Sequence, residues 1–256
     1  MGDLAHISLL LAAAFVAGAL NAVAGGGSFL TLPALVFTGV PPVSANATGT
    51  VALLPGYMAG AWGFKDDIQS PPGLSMKSVV LLSLIGGAAG AALLLYTPDA
   101  TFRKIVPWLL LAATAMFAFG PQLRQWATKA VGEQHGQAPG SAKAALGMLA
   151  VAIYGGYFNG GLGILLLALL GLLGQTNLHA MNGVKNLVSA LLTAIAVAIY
   201  AAGGVVQWQQ ALVMMVAATL GGYLGARAAR KIPPNWLRGG IVLTGLVMAG
   251  LFFWKQ

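Results

Sequence analysis

The sequence predicts an all-α polytopic membrane protein made of two homologous repeats. Hydrophobic residues account for 58% of the chain and charged residues for only 7%, whereas charged residues make up about a quarter of a soluble domain. Long apolar segments follow one another from end to end, and the two halves of the chain align with each other. A membrane-spanning helix needs about 20 apolar residues. The 256 residues therefore allow roughly eight crossings and leave no room for a separate soluble domain.

The net charge of +8 indicates a membrane topology and not a nucleic-acid partner. All but one of the Lys and Arg residues lie at or near the ends of apolar segments, where positive charge sets the orientation of a membrane protein. The chain has no cysteine, which excludes disulfides, iron–sulfur clusters and thiolate zinc sites. No enzymatic activity and no cofactor are predicted, because the sequence has no G-x-S-x-G elbow, no H-E-x-x-H motif and no clustered carboxylates.

Ten apolar segments are predicted to form helices, and two of them are much shorter than the rest. The short segments, 28–38 and 162–173, span roughly 17 Å as helices, which is too little to cross a membrane. They are predicted to be half-helices or re-entrant pieces. The full set is 4–24, 28–38, 44–64, 77–96, 101–120, 142–158, 162–173, 179–202, 207–226 and 236–254.

An internal duplication relates a first repeat, 1–120, to a second repeat, 142–256, with 121–141 as a polar connecting loop. The halves align at an offset of 135 to 136 residues, which places Asn46 on Asn182 and Gly25 on Gly161. Glycine runs at 86–90 and 221–225 also coincide and are predicted to be helix-packing faces. Duplicated membrane folds with short, glycine-interrupted helices at corresponding positions are typical of secondary transporters, whose site lies at the repeat interface.

The distribution of Lys and Arg predicts that the two repeats are inverted relative to each other. If the short helices do not count as crossings, these residues divide six against six and give no orientation. If each short helix does count, nine lie on one side and three on the other, which assigns the first side to the cytoplasm. Each repeat then has an odd number of crossings, and both chain termini lie on the non-cytoplasmic face.

Lys185 is the one basic residue inside a long apolar segment, and no Asp or Glu occurs within any of these segments. A charged group in a membrane costs at least about 2.5 kcal/mol, so a ligand that brings negative charge is expected to offset that cost. Polar side chains at helical spacing form a stripe along the same helix: His179, Asn182, Asn186, Ser189 and Thr193. The stripe predicts an anion site, and the alternative is that Lys185 snorkels to the membrane interface.

Two glycine-rich breaks precede the short helices and are predicted to form the walls of this site. Successive small residues expose backbone amides, and the positive N-terminal end of the following helix points at each break, which favours anions. The alternative is that the same glycines only allow close helix packing. No metal site is predicted, and the predicted substrate-binding residues are Lys185, Asn182, Asn46, Asn186, Gly25, Gly26, Gly27, Ser28, Asn21, Gly161 and His179.

Several motifs resemble those of the TauE/SafE family, also called the sulfite exporter family. They are the glycine break followed by Pro33, the Ser-Ala-Asn-Ala-Thr run at 44–48, the YGGYFNGGLG run at 154–163 and the Asn-Gly-Val-Lys-Asn run at 182–186. The resemblance covers nearly the whole chain. It implies transport of a small sulfur-containing anion, such as sulfite, sulfoacetate or a related organosulfonate, across the cytoplasmic membrane of a bacterium or archaeon. It also implies that Asn46, Asn182 and Lys185 are binding positions.

Two other functions stay open from the sequence. One is a passive anion channel, and the other is an intramembrane enzyme, which would need a catalytic constellation that the motifs do not supply. The predicted partners are a small anionic substrate and the lipid bilayer, without nucleic acid, and a homodimer is left open.

Overall fold

Every regular element that the computed structural model describes is helical. The described residues are 2–24, 26–133, 141–228 and 234–254. Within these ranges the α-helices are α1 Gly2–Ala24, α2 Ser28–Phe37, α3 Pro42–Gly63, α4 Met76–Tyr96, α5 Asp99–Glu133, α6 Ser141–Tyr157, α7 Leu162–Leu172, α8 Leu178–Ala202, α9 Trp208–Ala228 and α10 Pro234–Trp254, with a short 3-10 helix at Lys65–Asp67. The predicted all-α class is confirmed for this part of the chain.

Four helical segments among the described residues are long and apolar enough to cross a membrane. They are Leu4–Asn21, Met76–Tyr96, Asp99–Gly120 and Leu178–Ala202. Shorter apolar helices accompany them at Ser28–Phe37, Leu162–Leu172 and Val242–Trp254. These segments support a multi-pass membrane protein, as the composition predicts.

The two short helices predicted from the sequence are confirmed as α2 and α7. α2 has 10 residues and α7 has 11, so each spans about 15–17 Å. Each helix is followed by a glycine in the left-handed region, Gly39 at φ 92° and Gly174 at φ 90°. The residue after each glycine donates its N–H to the carbonyl oxygen five residues back, which is a Schellman motif. Because a Cβ disfavours that φ, glycine defines where both short helices stop.

Helices α3 and α8 contact each other at the centre of the fold and run antiparallel. Gly60, near the end of α3, packs against Asn186, near the start of α8. Thr48, near the start of α3, accepts a 3.0 Å hydrogen bond from the backbone N–H of Gln207, just after α8. α3 buries polar side chains, among them Asn46 and Thr48. Its central position explains why this helix tolerates polar residues that a lipid-facing helix would not.

Glycines bring the surrounding helices into backbone contact. Between α1 and α9, Gly18 lies against the carbonyl group of Ala218, and Gly221 lies against that of Phe15. Between α4 and α6, Gly87 lies against the backbone of Gly156. The packing role predicted for the two glycine runs is therefore confirmed at Gly87 and Gly221, since small residues allow this approach between membrane helices.

Replacing Gly221 with valine is expected to destabilise the protein. A Cβ at this position would overlap the Phe15 carbonyl oxygen, and because that atom is backbone, α1 and α9 would have to move apart. Overpacking of this kind costs about 1–3 kcal/mol, which a lower melting temperature in detergent would reveal. Gly250→Val is the matched control, because nothing lies within 4 Å of a Cβ built there. Equal melting temperatures for the two variants would contradict the prediction.

The first part of the predicted connecting loop, 121–141, is helical, which corrects that prediction. α5 continues without interruption from Asp99 to Glu133. The polarity of the stretch suggested a loop, but most of its residues are Gln, Leu, Arg, Ala, Lys and Glu, which are strong helix formers. Residues 134–140 lie outside the described part of the chain.

Candidate functional site

The break between α6 and α7 has an unusual backbone conformation. Asn159 has φ 63° and Gly161 has φ 74°, both in the left-handed region. Asparagine tolerates this region better than most residues, and Asn159 is the one residue other than glycine with positive φ in the described chain. The break is therefore a defined turn built from residues 158–161, and Gly161 is the residue that precedes α7.

Side chains from three helices bind the backbone oxygens around this second break. Inside a membrane, backbone oxygens freed by a break need partners from the protein or from a polar cavity. The hydroxyls of Tyr154 and Tyr200 and the amide of Asn46 supply them. The acceptors are the carbonyl oxygens of Gly160 for Tyr154, Gly156 for Tyr200 and Tyr157 for Asn46, the last at 3.0 Å.

A central polar cluster, defined as Asn21, Tyr57, Asn159 and Thr193, joins both halves of the chain. The Tyr57 hydroxyl donates to Asn159 Oδ1 at 3.1 Å, and Asn159 Nδ2 donates to Thr193 Oγ1 at 3.4 Å. The Asn21 side chain lies close to the Tyr57 hydroxyl. Asn21 Oδ1 is buried and has no hydrogen-bond partner among the described residues. The cluster therefore has capacity for one more hydrogen-bonding group.

Sequence reasoning missed Tyr57 and Asn159 as members of a polar site. Tyr57 resembles any other aromatic residue of an apolar helix. Asn159 lies inside the 154–163 motif, in which the glycines, and not the asparagine, predict the helix break. The repeat offset carried a usable signal, because Tyr57 and Thr193 are 136 residues apart, and both contact Asn159.

The first break lies between the end of α1 and Ser28, the first residue of α2, which is 5% exposed. A Cβ on Gly27 would lie 3.0 Å from the Ala17 carbonyl oxygen and 2.9 Å from the Leu53 side chain. A Cβ on Gly26 would lie 2.8 Å from the Phe117 ring. These glycines therefore combine the two roles considered from the sequence, since they break the helix and also pack closely. The predicted site residue Gly25 lies outside the described residues.

Lys185 belongs to a second polar group near the start of α8. Lys185 Nζ donates to Asn182 Oδ1 at 3.1 Å, and Asn182 Nδ2 donates to the Leu178 carbonyl oxygen at 2.9 Å. Asn186 Nδ2 donates to the Gly60 carbonyl oxygen of α3 at 3.3 Å, and the predicted site residue His179 is exposed. This Lys185 group is half-buried and lies toward one end of the α3/α8 pair.

No carboxylate neutralises Lys185 within the described residues. The 3-10 helix that contacts α8 carries Asp66 and Asp67, but neither forms an ion pair with Lys185. The ammonium carries three N–H donors, and Asn182 accepts from it. A small anion could therefore bind to Lys185 without displacing a resident counter-ion. The described residues also contain no group of three His, Cys, Asp or Glu side chains that could hold a metal ion.

The predicted site residues form two groups and not the single constellation expected from the sequence. Asn46 lies fourteen residues before Gly60 in α3, a separation of about 21 Å along the helix, and Gly60 contacts Asn186. Lys185 lies eight residues before Thr193 in α8, or about 12 Å. Because α3 and α8 are antiparallel, residues that lie early in both helices are at opposite ends of the pair. A small anion cannot contact Asn46 and Lys185 together.

The polar stripe on α8 faces protein at its inner end. Ser189 is 2% exposed and Thr193 is fully buried, and Thr193 contacts the second break. The inner residues of the stripe are therefore enclosed by protein, whereas its outer end is accessible. The stripe therefore leads from the exposed His179 to the central polar cluster.

Comparison with known proteins gives a family match over most of the chain. The family described as sulfite exporter TauE/SafE matches residues 10–252. A probable membrane transporter protein of Haemophilus influenzae is 29% identical, over 98% of this chain and 95% of its own length. The probable membrane transporter protein YfcA of Escherichia coli strain K12 is 28% identical, over 95% of this chain and 88% of its own length. No solved structure gives a significant match.

Proposed function

Because the chain belongs to the sulfite exporter TauE/SafE family, we propose that this membrane transporter is a secondary carrier for a small sulfur-containing anion. The substrate class is sulfite, sulfoacetate or a related organosulfonate, and the location is the cytoplasmic membrane. The family description supports a sulfur oxyanion, and the relatives that match over most of their length are named probable membrane transporters. The protein is accordingly a transporter and not an enzyme.

The proposal rests on one observation, which is that both helix breaks contact the same part of α3. Gly27 in the first break packs on Leu53, and Asn159 in the second break bonds to Tyr57, one helical turn further along α3. The N-terminal ends of α2 and α7 begin at these breaks, and each end carries a partial positive charge. Helix ends of this kind bind oxyanions through backbone N–H groups. The bound anion is assigned to this region, beside the central polar cluster.

Lys185 provides the positive charge on the route to that site. A unit charge about 12 Å from an anion attracts it by roughly 1.4 kcal/mol at an effective dielectric constant of about 20. Asn182 and Asn186 lie on the same side of α8 and offer amide groups to a passing anion. The Lys185 group therefore acts as a first contact for the substrate, and the central polar cluster acts as its binding position.

Two inverted repeats are part of the proposal, and the helix contacts support them. Under the sequence offset, α1 to α5 correspond to α6 to α10. The contact of α1 with α9 then corresponds to that of α6 with α4, and the contact of α2 with α10 to that of α7 with α5. The equivalent helices α3 and α8 contact each other antiparallel, as a two-fold axis in the membrane plane would require. The homodimer stays a prediction, to be tested by the mass of the purified protein in detergent.

Calorimetric titration of the purified protein tests the substrate class directly. The panel consists of sulfite, sulfoacetate, two- and three-carbon sulfonates and, as a control, acetate. We expect saturable binding of at least one sulfur oxyanion and weaker binding of acetate, because a group with three sulfur-bound oxygens can accept bonds from donors on both breaks. Binding of acetate as tight as that of every sulfur compound would overturn the assignment.

A further inference from the structure

An apolar groove opens on the outer surface of the helix bundle, away from the central polar cluster. Its volume is about 670 Å³, and its walls come from α1, α2 and α10. Twelve of its thirteen lining residues are apolar, among them Ala12, Leu30 and Met248. The volume lies within the usual range of ligand sites, about 300–1,000 Å³.

The short length of α2 explains why the groove exists. α2 ends at Phe37 after 10 residues, or about 15 Å, whereas its neighbour α1 is long enough to cross the membrane. Because α2 is only about half as long as a spanning helix, it leaves part of the space between α1 and α10 unfilled. The space beside it is therefore open and lined by apolar side chains.

Arg103 is the one charged residue in the lining of the groove. It is exposed and lies five residues into α5. Arg103 already takes part in an interaction within the protein, but a guanidinium has five N–H donors and pairs with phosphate in a bidentate geometry. An arginine beside an apolar groove in a membrane protein complements an anionic headgroup joined to an acyl chain.

We propose that this groove binds one anionic phospholipid, with an acyl chain between α2 and α10 and the headgroup phosphate at Arg103. The bound chain lies against Leu30, Pro33 and Phe37 of α2. The lipid supports the half-helix that forms one wall of the central site. This inference does not depend on which anion the protein transports.

Native mass spectrometry of the detergent-purified protein with phosphatidylglycerol or phosphatidylcholine tests the proposal. We expect wild-type protein to retain one phosphatidylglycerol with about tenfold higher affinity than phosphatidylcholine, because the choline cation of phosphatidylcholine offsets the phosphate charge that attracts Arg103. Arg103→Gln is expected to lose this preference. Lys77→Gln, which removes an exposed charge outside the groove, is expected to keep it.

A second variant tests the groove itself. Ala12 is exposed and lines the groove, so Ala12→Phe should fill it without disturbing the core and should lower retention of both lipids. Circular dichroism and gel filtration of each variant verify the fold. Equal retention of the two lipids by wild-type protein, an intact preference in Arg103→Gln, or unchanged lipid retention in Ala12→Phe would each overturn the proposal.

Discussion

Lys185→Ala is expected to weaken binding of the transported anion by about tenfold. This value follows from the roughly 1.4 kcal/mol of attraction between an anion at the central polar cluster and a charge about 12 Å away. A direct contact between Lys185 and the anion would give a larger loss, since hydrogen bonds to charged groups contribute about 1.5–3 kcal/mol. Calorimetric titration of wild-type protein and Lys185→Ala with the tightest ligand of the panel therefore measures the effect. The size of the loss also shows whether the anion contacts Lys185 directly.

Lys185→Arg and Lys77→Ala are the matched controls for this result. The arginine variant keeps the charge and should retain most of the affinity, whereas Lys77, exposed in the first turn of α4, should be dispensable. Lys185→Ala should melt no lower than wild type, because it removes a half-buried charge that has no carboxylate partner. Unchanged affinity in Lys185→Ala would remove this residue from the transport route.

Asn159→Ala is expected to reduce transport to less than about a tenth of the wild-type rate. The substitution removes the polar side chain that lets asparagine tolerate φ 63°, and an ordinary L-residue in this region costs up to about 1–2 kcal/mol. It also leaves the Tyr57 hydroxyl without the Asn159 acceptor, and a buried polar group that loses its partner costs about 1–3 kcal/mol. Substrate uptake into proteoliposomes containing equal amounts of folded protein measures the result.

Asn159→Gly separates the backbone contribution from that of the side chain. Glycine adopts positive φ without strain, so this variant should regain stability relative to Asn159→Ala but should still lack the contacts to Tyr57 and Thr193. We expect slow transport in both variants and a higher melting temperature for the glycine variant. Wild-type transport by Asn159→Gly would mean that the asparagine side chain has no part in the site.

The short helices and the glycine breaks could be predicted from sequence because each has a local cause. Gly39 and Gly174 end the two short helices in the same way, and a helix of 10 or 11 residues is visible as a short apolar run. The packing glycines are likewise local, since a residue without a Cβ lets backbones approach wherever it recurs on one face.

Which residues come together in the site could not be predicted from the sequence, because this depends on the relative direction of α3 and α8. The offset of 136 residues equates Asn46 with Asn182, but it does not state where equivalent positions lie in space. In an antiparallel pair, equivalent residues approach each other only near the crossing point, where Tyr57 and Thr193 share Asn159. Lys185 stands out in the sequence through its polarity alone, whereas the contacts that Tyr57 makes are not visible in the sequence.

Uptake of radiolabelled sulfite into proteoliposomes tests most directly whether this protein is a carrier for sulfur oxyanions. Vesicles are loaded with unlabelled sulfite, diluted into a trace of labelled sulfite, and compared with protein-free vesicles and with vesicles containing Asn159→Ala. For a carrier, we predict that the label accumulates transiently inside above its external concentration, because outward movement of unlabelled substrate drives the exchange. Equilibration without such an overshoot would indicate a channel, and no uptake of sulfite or of any sulfonate from the panel would contradict the proposed function.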